Sequence, residues 1–279
     1  MQRSLFSVTD ARACGVAASA LKQAVIKGVV TRLKRGWYTG QTLARLSQRH
    51  RLRVQAELFD HPGTVPSHHS GAVHLGYPVH RLDWTKVHLM RVNEKSAQSR
   101  PTVIIHQRVG DTTQLQPALV VLQTALICAT SGLMAADHAL RIKATTSSGL
   151  AECASELRHQ AGNSHLSLVL NLTNGLRESP LESRTALTFH RWGWVLEPQF
   201  NVPGTPYRAD ARLRGTRVLV ECDGQGKYDE PGAVQREKVR EDDIRALGWE
   251  VVRVTTTLLD ERVNLFHRVR AAISRSGRT

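Results

Sequence analysis

Three acidic residues, Asp210, Glu221 and Asp223, lie in two short segments that are typical of neighbouring β-strands. The segments are PYRADARL and TRVLVECDG, and the turn sequence LRG separates them. Carboxylates at the end of an apolar run are costly to bury, and two that meet raise each other's pKa. A divalent cation removes both costs, because Mg²⁺ binds carboxylate oxygens, water and phosphate. The pattern therefore predicts a metal site for phosphodiester chemistry at Asp210 and Glu221.

A second interpretation treats Asp210 and Glu221 as ordinary strand-end acids. In that case they would form ion pairs with Arg208, Arg212 or Arg217 on the same segments. Such surface pairs are common and contribute little to stability. Spacing alone does not separate these interpretations, so the surrounding elements have to be considered.

The last third of the chain predicts the order helix, three strands, helix, strand, helix. Ser179 precedes a proline, an arrangement typical of the start of a helix, and places Glu182 in the first turn of that helix. A strand at Phe200 and Val202 precedes the two acidic segments. A charged helix, a strand and a final helix are predicted at 233–247, 249–255 and 259–273.

This order, with four separated pieces of sequence, resembles the very-short-patch-repair-endonuclease-like domains of the PD-(D/E)xK nuclease fold. The pieces are PLESR, YRAD, ECDG and REKVREDDIRALGWEVVRVT, within residues 165–275. The resemblance implies a restriction-endonuclease-like αβββαβα domain acting as a DNA endonuclease or nickase with Mg²⁺ or Mn²⁺. It implies that Asp210 and Glu221 hold the metal, with the carbonyl of Cys222 as a third ligand. Glu182 would bind metal-bound water.

The chain departs from that family at one position, because Asp223 stands where the fold usually has a lysine. Lys227 or Lys238 is expected to supply the missing positive charge, with Arg240 as a third choice. Asp223 itself is either a further metal ligand or a turn residue. The charged helix is either a solvated face or a DNA-facing one, the latter through Arg236, Lys238 and Arg240.

The positive charge of the chain is concentrated at its N-terminus. The net charge is +14, and residues 1–55 hold eleven Lys/Arg and one acidic residue, a balance of +10. A patch of this kind is typical of a polyanion-binding surface, because neutralised phosphates release counterions. No long amphipathic helix with bulky apolar anchors accompanies the charge, so we expect duplex DNA as the partner and no membrane.

Residues 7–40 predict a winged helix-turn-helix. A helix over 11–14, with Thr9 or Asp10 as its cap, precedes a second helix over 17–27 and a ribbon over 29–40. Seven residues are candidates for DNA contacts: Ser19, Lys22, Gln23 and Lys27 on the second helix, and Arg32, Lys34 and Arg35 on the wing. The alternative is a small helical domain with a solvated basic face.

The N-terminal run LFSVTDARACGVAASALKQAVIKGVVTRLKRGWYTG resembles the AbiEi family of antitoxins. That resemblance implies a winged-helix DNA-binding domain of a type IV toxin–antitoxin system. It extends weakly through SHHSGA and VHLMRV in the middle of the chain, and it brings no catalytic residue.

Histidines are frequent in the middle segment. His68 and His69 lie near His74 and His80, but this spacing fits no standard metal-ligand set, and cysteine or carboxylate partners are missing. The pattern therefore favours a hydrogen-bonded packing feature, and SHHSGA suggests a helix cap and close packing.

The length of 279 residues suits a multi-domain α+β or α/β protein. We predict a winged helix at 1–55, a mixed α/β domain at 56–164 and a nuclease-like domain at 165–279. Four cysteines form no CxxC pair, and the first residues lack the apolar core of a signal peptide. The expected compartment is a reducing cytoplasm.

These patterns predict a DNA-binding protein with a metal-dependent endonuclease domain, in defence against foreign DNA or in repair. The alternative is a non-catalytic repressor or antitoxin, with a toxin partner and a degenerate nuclease fold. A third interpretation is an RNA-processing nuclease. A homodimer is compatible with both kinds of domain.

Overall fold

The computed structural model describes residues 5–93, 96–110, 113–224 and 233–277, with the side chains of 233–238 excepted. This part of the chain is a mixed α+β structure with twelve helices and three sheets. It divides into two compact units. The first unit is Met1–Gly132 with Ser148–Leu166, and the second is Leu133–Ser147 with Ser167–Thr279.

The first fifteen elements lead up to residue 172. They are β1 (Phe6–Ser7), α1 (Val8–Ala13), α2 (Ala18–Ile26), β2 (Thr31–Lys34), β3 (Trp37–Thr39), α3 (Leu46–Asp60), β4 (Thr64–Pro66), α4 (His68–Leu75), β5 (Val87–Arg91), β6 (Gln98–Ser99), β7 (Val103–His106), α5 (Pro117–Ile127), α6 (Ala129–Arg141), α7 (Ser147–Leu157) and α8 (Asn163–Leu172).

The N-terminal sheet has the order β1-β3-β2, with antiparallel pairs throughout. Gly36, with a φ of 82° that favours glycine, makes the turn of the predicted hairpin, which is confirmed. The predicted cap of the first helix is wrong. Ser7 is the N-cap, and Asp10 is its capping-box partner, because the side chain of each accepts the backbone N–H of the other.

The second sheet of the first unit has the order β4-β5-β7-β6, and its central pair, β5 and β7, is parallel. Helix α4 follows β4 directly and packs closely on α5. A Cβ added to Gly71 would lie 2.9 Å from Cγ1 of Val120, so the predicted close packing at SHHSGA is confirmed. Ser67 is the N-cap residue of α4, although its side chain makes no capping hydrogen bond.

The remaining eight elements belong to the second unit. They are α9 (Pro180–Arg191), β8 (Leu196–Asn201), β9 (Arg208–Leu213), β10 (Val218–Cys222), α10 (Ala233–Ala246), β11 (Glu250–Val254), α11 (Thr256–Asp260) and α12 (Arg262–Ser276). The predicted element order is confirmed, apart from the additional short helix α11. Ser179 caps α9 as predicted, because its Oγ accepts the backbone N–H of Glu182 at 3.2 Å.

The sheet of the second unit has the order β11-β10-β9-β8, in which only the β10–β11 pair is parallel. Val218 and Val220 pack with residues of α9 and α12, whereas Leu219 packs with Ile244 of α10. Every residue of β10 is buried. Both faces of the central strand are therefore covered, which explains its unbroken apolar run.

Among the described residues, no helix has both the length and the apolar character that crossing a bilayer requires.

Candidate functional site

Glu182 is a buried carboxylate in the first turn of α9, with 7% of its surface exposed. Its Oε2 accepts hydrogen bonds from the backbone N–H of Glu178, at 3.0 Å, and from Nε2 of Gln199, at 3.1 Å. Burial raises the pKa of Glu182, and the nearby charge of Asp210 adds to that rise. The helix therefore presents an acid that a neighbouring positive charge would stabilise in its ionised form.

Asp210 is fixed by a backbone contact at the point where two strands separate. The last paired residues of β9 and β10 are Ala211 and Val220. Beyond them, Oδ2 of Asp210 accepts the backbone N–H of Cys222 at 2.7 Å. On the other side of β9, Gln199 has a left-handed φ of 54° and interrupts the β8–β9 ladder. The carboxylate of Asp210 thus accepts the N–H of Cys222 in place of a backbone carbonyl of β9. This hydrogen bond holds the side chain in one position.

Glu182, Asp210 and Cys222 line the same small recess, whose volume of about 10 Å³ leaves room for about one water molecule. The thiol of Cys222 is buried, and burial raises its pKa. The sulfur therefore stays protonated, and the chain offers the recess oxygen atoms. Two carboxylates, a carbonyl and water are the ligand types that Mg²⁺ takes.

Glu221 pairs with an arginine of a helix. Its Oε1 accepts a hydrogen bond from Nη2 of Arg240 at 2.7 Å, and the same nitrogen donates to the carbonyl of Arg208 at 2.9 Å. Arg240, the third choice for the missing lysine, is therefore a cation that pairs with this acid.

The three arginines that the second interpretation assigned to Asp210 and Glu221 have other contacts. Arg208 pairs with Glu178, and Arg212 pairs with Glu197. Arg217 donates to the carbonyl of Leu247. The contacts of these three arginines are therefore with residues other than Asp210 and Glu221.

Asp223 follows β10 and pairs with Arg253 of β11, with 3.3 Å between Oδ2 and Nη1. Arg253 also pairs with Glu241 of α10 at 2.7 Å. Lys227 and the side chains of Arg236 and Lys238 lie outside the described residues. A cation thus pairs with Asp223, the position at which the resemblance led us to expect a lysine.

The predicted metal-binding acids do not form a three-carboxylate cluster. Within the described ranges, the one group of three potential ligand side chains whose ligand atoms lie within 4.8 Å of one another is His68, His88 and His106. A metal at the acidic recess would be held by two carboxylates together with backbone and water oxygens, as Mg²⁺ commonly is.

The sequence pattern groups His68 with histidines that lie near it in the chain. His88 and His106 were missed, because they lie in β5 and β7 and only the parallel pairing of these strands brings them together. The signal available in the sequence was one histidine in each of two predicted strands, VHLMRV and TVIIH.

The predicted DNA contacts on α2 share one property. Ser19, Lys22, Gln23 and Lys27 are all exposed, as are Arg32 and Arg35 near the turn of the hairpin. Lys34 differs, because its Nζ pairs with Glu57 and Asp60 of α3. Lys34 therefore joins the hairpin to the helix that follows it, and the other six residues are open to a partner.

Glu182→Gln is expected to remove one contribution to the pH dependence of stability. Since the folded-state pKa of Glu182 is raised above its unfolded value, the folded protein holds this proton more tightly than the unfolded chain. Its stabilising effect is present below the unfolded pKa and is lost as pH rises through the folded pKa. Glutamine keeps an oxygen for the donors of Glu178 and Gln199 and carries no charge.

The measurement is urea unfolding in EDTA between about pH 4 and pH 8, the range in which carboxyl groups with raised pKa values titrate. The wild type should lose more stability with rising pH than Glu182→Gln. Parallel curves would show that Glu182 titrates normally.

No protein-family model matches this chain, and no curated protein matches it. The crystal structure of the RV2827C protein from Mycobacterium tuberculosis is similar over 60% of this chain and 71% of that chain, at 13% identity and a TM-score of 0.35. A similarity at this level does not establish a shared fold.

Proposed function

We propose that the chain binds duplex DNA and cuts it with a metal-dependent endonuclease or nickase site in the second unit. The observation that carries the proposal is the recess shared by Glu182, Asp210 and Cys222, which lie on three elements of the second unit, α9, β9 and β10. The element order and the resemblance of PLESR, YRAD and ECDG to PD-(D/E)xK nucleases support it. The fitting cofactor is Mg²⁺ or Mn²⁺.

The proposed roles combine what the resemblance implies with the observed contacts. The resemblance assigns the cation to Asp210, Glu221 and the carbonyl of Cys222, and a water bound to it to Glu182. Of these carboxylates, Asp210 and Glu182 line the recess and would hold the cation there, whereas Glu221 pairs with Arg240. A bound divalent ion would supply an activated water and charge stabilisation at the phosphate. Arg240 supplies the positive charge that lysine gives elsewhere, since it already lies at Glu221 and its side chain is 24% exposed.

The N-terminal part is the proposed winged-helix DNA-binding domain. Helices α1 and α2 and the β2–β3 hairpin have the order of that fold. Lys22 on α2 and Lys27 at its C-cap are exposed, and Arg32 and Arg35 are exposed near the hairpin turn. The balance of +10 in residues 1–55 gives this domain its affinity for phosphate. All four cysteines are free thiols, which suits the reducing cytoplasm that we propose as its compartment.

A non-catalytic repressor or antitoxin is the second candidate function. The observation that favours it is that Glu221 and Asp223 pair with Arg240 and Arg253, so both acids have positively charged partners without a metal. In that case the second unit contributes to DNA binding or has a structural role alone. The protein would then have a toxin as its partner in a toxin–antitoxin system.

The test is an assay of the full chain on supercoiled plasmid with Mg²⁺, Mn²⁺ or EDTA. We expect nicked or linear plasmid with either metal and none in EDTA, and a mobility shift of duplex DNA in all three. Labelled RNA offered beside labelled DNA distinguishes an RNA-processing nuclease. DNA binding without cleavage in any metal would support the repressor and contradict the nuclease.

A further inference from the structure

Three histidine rings meet in the first unit, at the junction of one helix and two strands. His68 begins α4, His88 lies in β5, and His106 ends β7. One ring nitrogen from each lies within 4.8 Å of the other two. Nδ1 of His88 and Nε2 of His106 are 2.9 Å apart, and the ring of His68 stacks on that of His106 with 3.8 Å between centroids.

Backbone contacts fix this arrangement. The backbone N–H of Ser67 donates to the carbonyl of His88 at 3.0 Å, and the backbone N–H of His88 donates to Oγ of Ser70 at 2.9 Å. These bonds hold the start of α4 against β5. His106 is brought beside them because β7 is the parallel neighbour of β5 and pairs Met90 with His106. The cluster is therefore built by the fold and does not depend on mobile side chains.

The buried rings are in the protonation state that a metal requires. Burial lowers the pKa of His68 well below its usual value, that of His88 to about 3 and that of His106 to about 4. Each imidazole is therefore neutral at physiological pH and carries one nitrogen lone pair. Neutral imidazole is the form that coordinates metal ions.

Two features of His68 are typical of a positioned ligand. Its backbone has a left-handed φ of 51°, which is uncommon outside glycine and is retained where the surroundings enforce it. Its Nδ1 lies 3.1 Å from Oγ of Ser67, a bond that orients the ring and leaves Nε2 for a ligand. Metal-bound histidines usually make such a bond through the other nitrogen.

A cavity of about 230 Å³ opens onto the cluster. Its lining includes His68 and His106, together with three glutamines, Gln107, Gln123 and Gln160. The cavity gives an ion a route to the rings, and it provides space for a water or a small polar ligand beside them.

We propose that His68, His88 and His106 bind one Zn²⁺ or a similar first-row divalent ion, with a fourth coordination position open to the cavity. Imidazole ligands select ions of this class over Mg²⁺, which prefers oxygen. Three histidines with an open position match a reactive zinc site more closely than a closed structural one. The site goes beyond the proposed nuclease, since it lies in the first unit and uses none of the carboxylates of the second.

The experiment uses the full chain, stripped with EDTA and dialysed. We expect calorimetric titration with Zn²⁺ alone to show one equivalent bound, and Co²⁺ alone to give the intense visible bands of four- or five-coordinate cobalt. His106→Ala should weaken Zn²⁺ binding by at least about 100-fold, and Ser67→Ala by about 10-fold, because ligand-orienting groups typically contribute that much.

His74→Ala is the matched control, since His74 lies in the same helix outside the cluster, and it should bind Zn²⁺ like the wild type. Thermal unfolding without metal establishes that each variant is folded, and His106→Gln replaces His106→Ala if the latter is not. Folded wild type without stoichiometric Zn²⁺ binding would overturn the proposal. Full affinity in His106→Gln and in His88→Gln would also overturn it.

Discussion

Asp210→Ala is expected to lower the rate of plasmid nicking by about 1,000-fold or more, with DNA binding unchanged. Asp210 faces the recess between Glu182 and Cys222, where its Oδ2 lies 2.7 Å from the backbone nitrogen of Cys222. A bound metal supplies several kcal/mol of charge stabilisation, and each 1.4 kcal/mol is about tenfold in rate. The measurement is the initial rate of nicking at saturating Mg²⁺ or Mn²⁺, with a mobility shift on the same samples.

Glu197→Ala is the matched control for that experiment. Glu197 is an acid on β8 of the same sheet, and its carboxylate pairs with Arg212 and Arg214 away from the recess. Its removal should leave the nicking rate within about twofold, because exposed ion pairs contribute little. Nicking that survives Asp210→Ala and Glu221→Ala alike would come from a contaminant and would remove the evidence for a catalytic site.

Local patterns predicted much of the second unit. The Pro after Ser179 fixed the start of α9, and the apolar run from Val218 to Val220 predicted a buried strand with Glu221 at its end. These are effects of neighbouring residues, since a cap and an alternating or continuous apolar run act within a few positions. The proximity of Glu182 to Asp210 is not an effect of this kind, and it was expected from the resemblance to PD-(D/E)xK nucleases.

Of the charge partners of the site, Arg240 was named only as the third choice for the missing lysine, and the pairing of Asp223 with Arg253 was not predicted. Arg240 reaches Glu221 because α10 packs on one face of the sheet, and the spacing of two residues in the chain does not report such a contact. Spacing suggested Arg208, Arg212 or Arg217 instead, and tertiary packing directs those side chains elsewhere. His88 and His106 were missed for a related reason, since their meeting depends on the register of a parallel strand pair.

Asp137→Ala is expected to lower the free energy of unfolding by about 3–5 kcal/mol, the typical cost of removing one partner of a buried ion pair. Asp137 is 1% exposed and Arg177 is 7% exposed. The Asp137 carboxylate accepts from Nη1 of Arg177, from Oγ of Ser183 and from the backbone N–H of Asn174, at 2.7–2.8 Å. Alanine leaves the guanidinium charge and the other donors without their acceptor.

Asp137→Ala is also expected to lower activity at the candidate site. Arg177 lines the recess with Glu182, and Ser183 follows Glu182 in α9. Asp137 therefore holds the chain in place on both sides of Glu182, through Arg177 before it and Ser183 after it. We expect nicking by Asp137→Ala to fall even at temperatures where circular dichroism shows the protein to be folded.

Asp260→Ala provides the matched comparison, because Asp260 also pairs with an arginine, Arg184, but has a side chain that is 38% exposed. Its loss should change the stability by at most about 1 kcal/mol. In a double-mutant cycle, Asp137→Leu combined with Arg177→Met should recover most of the stability lost in either single variant, since apolar residues can replace a buried pair. Urea unfolding measures all of these variants. Equal losses for Asp137→Ala and Asp260→Ala would show that burial of the first pair has no energetic consequence.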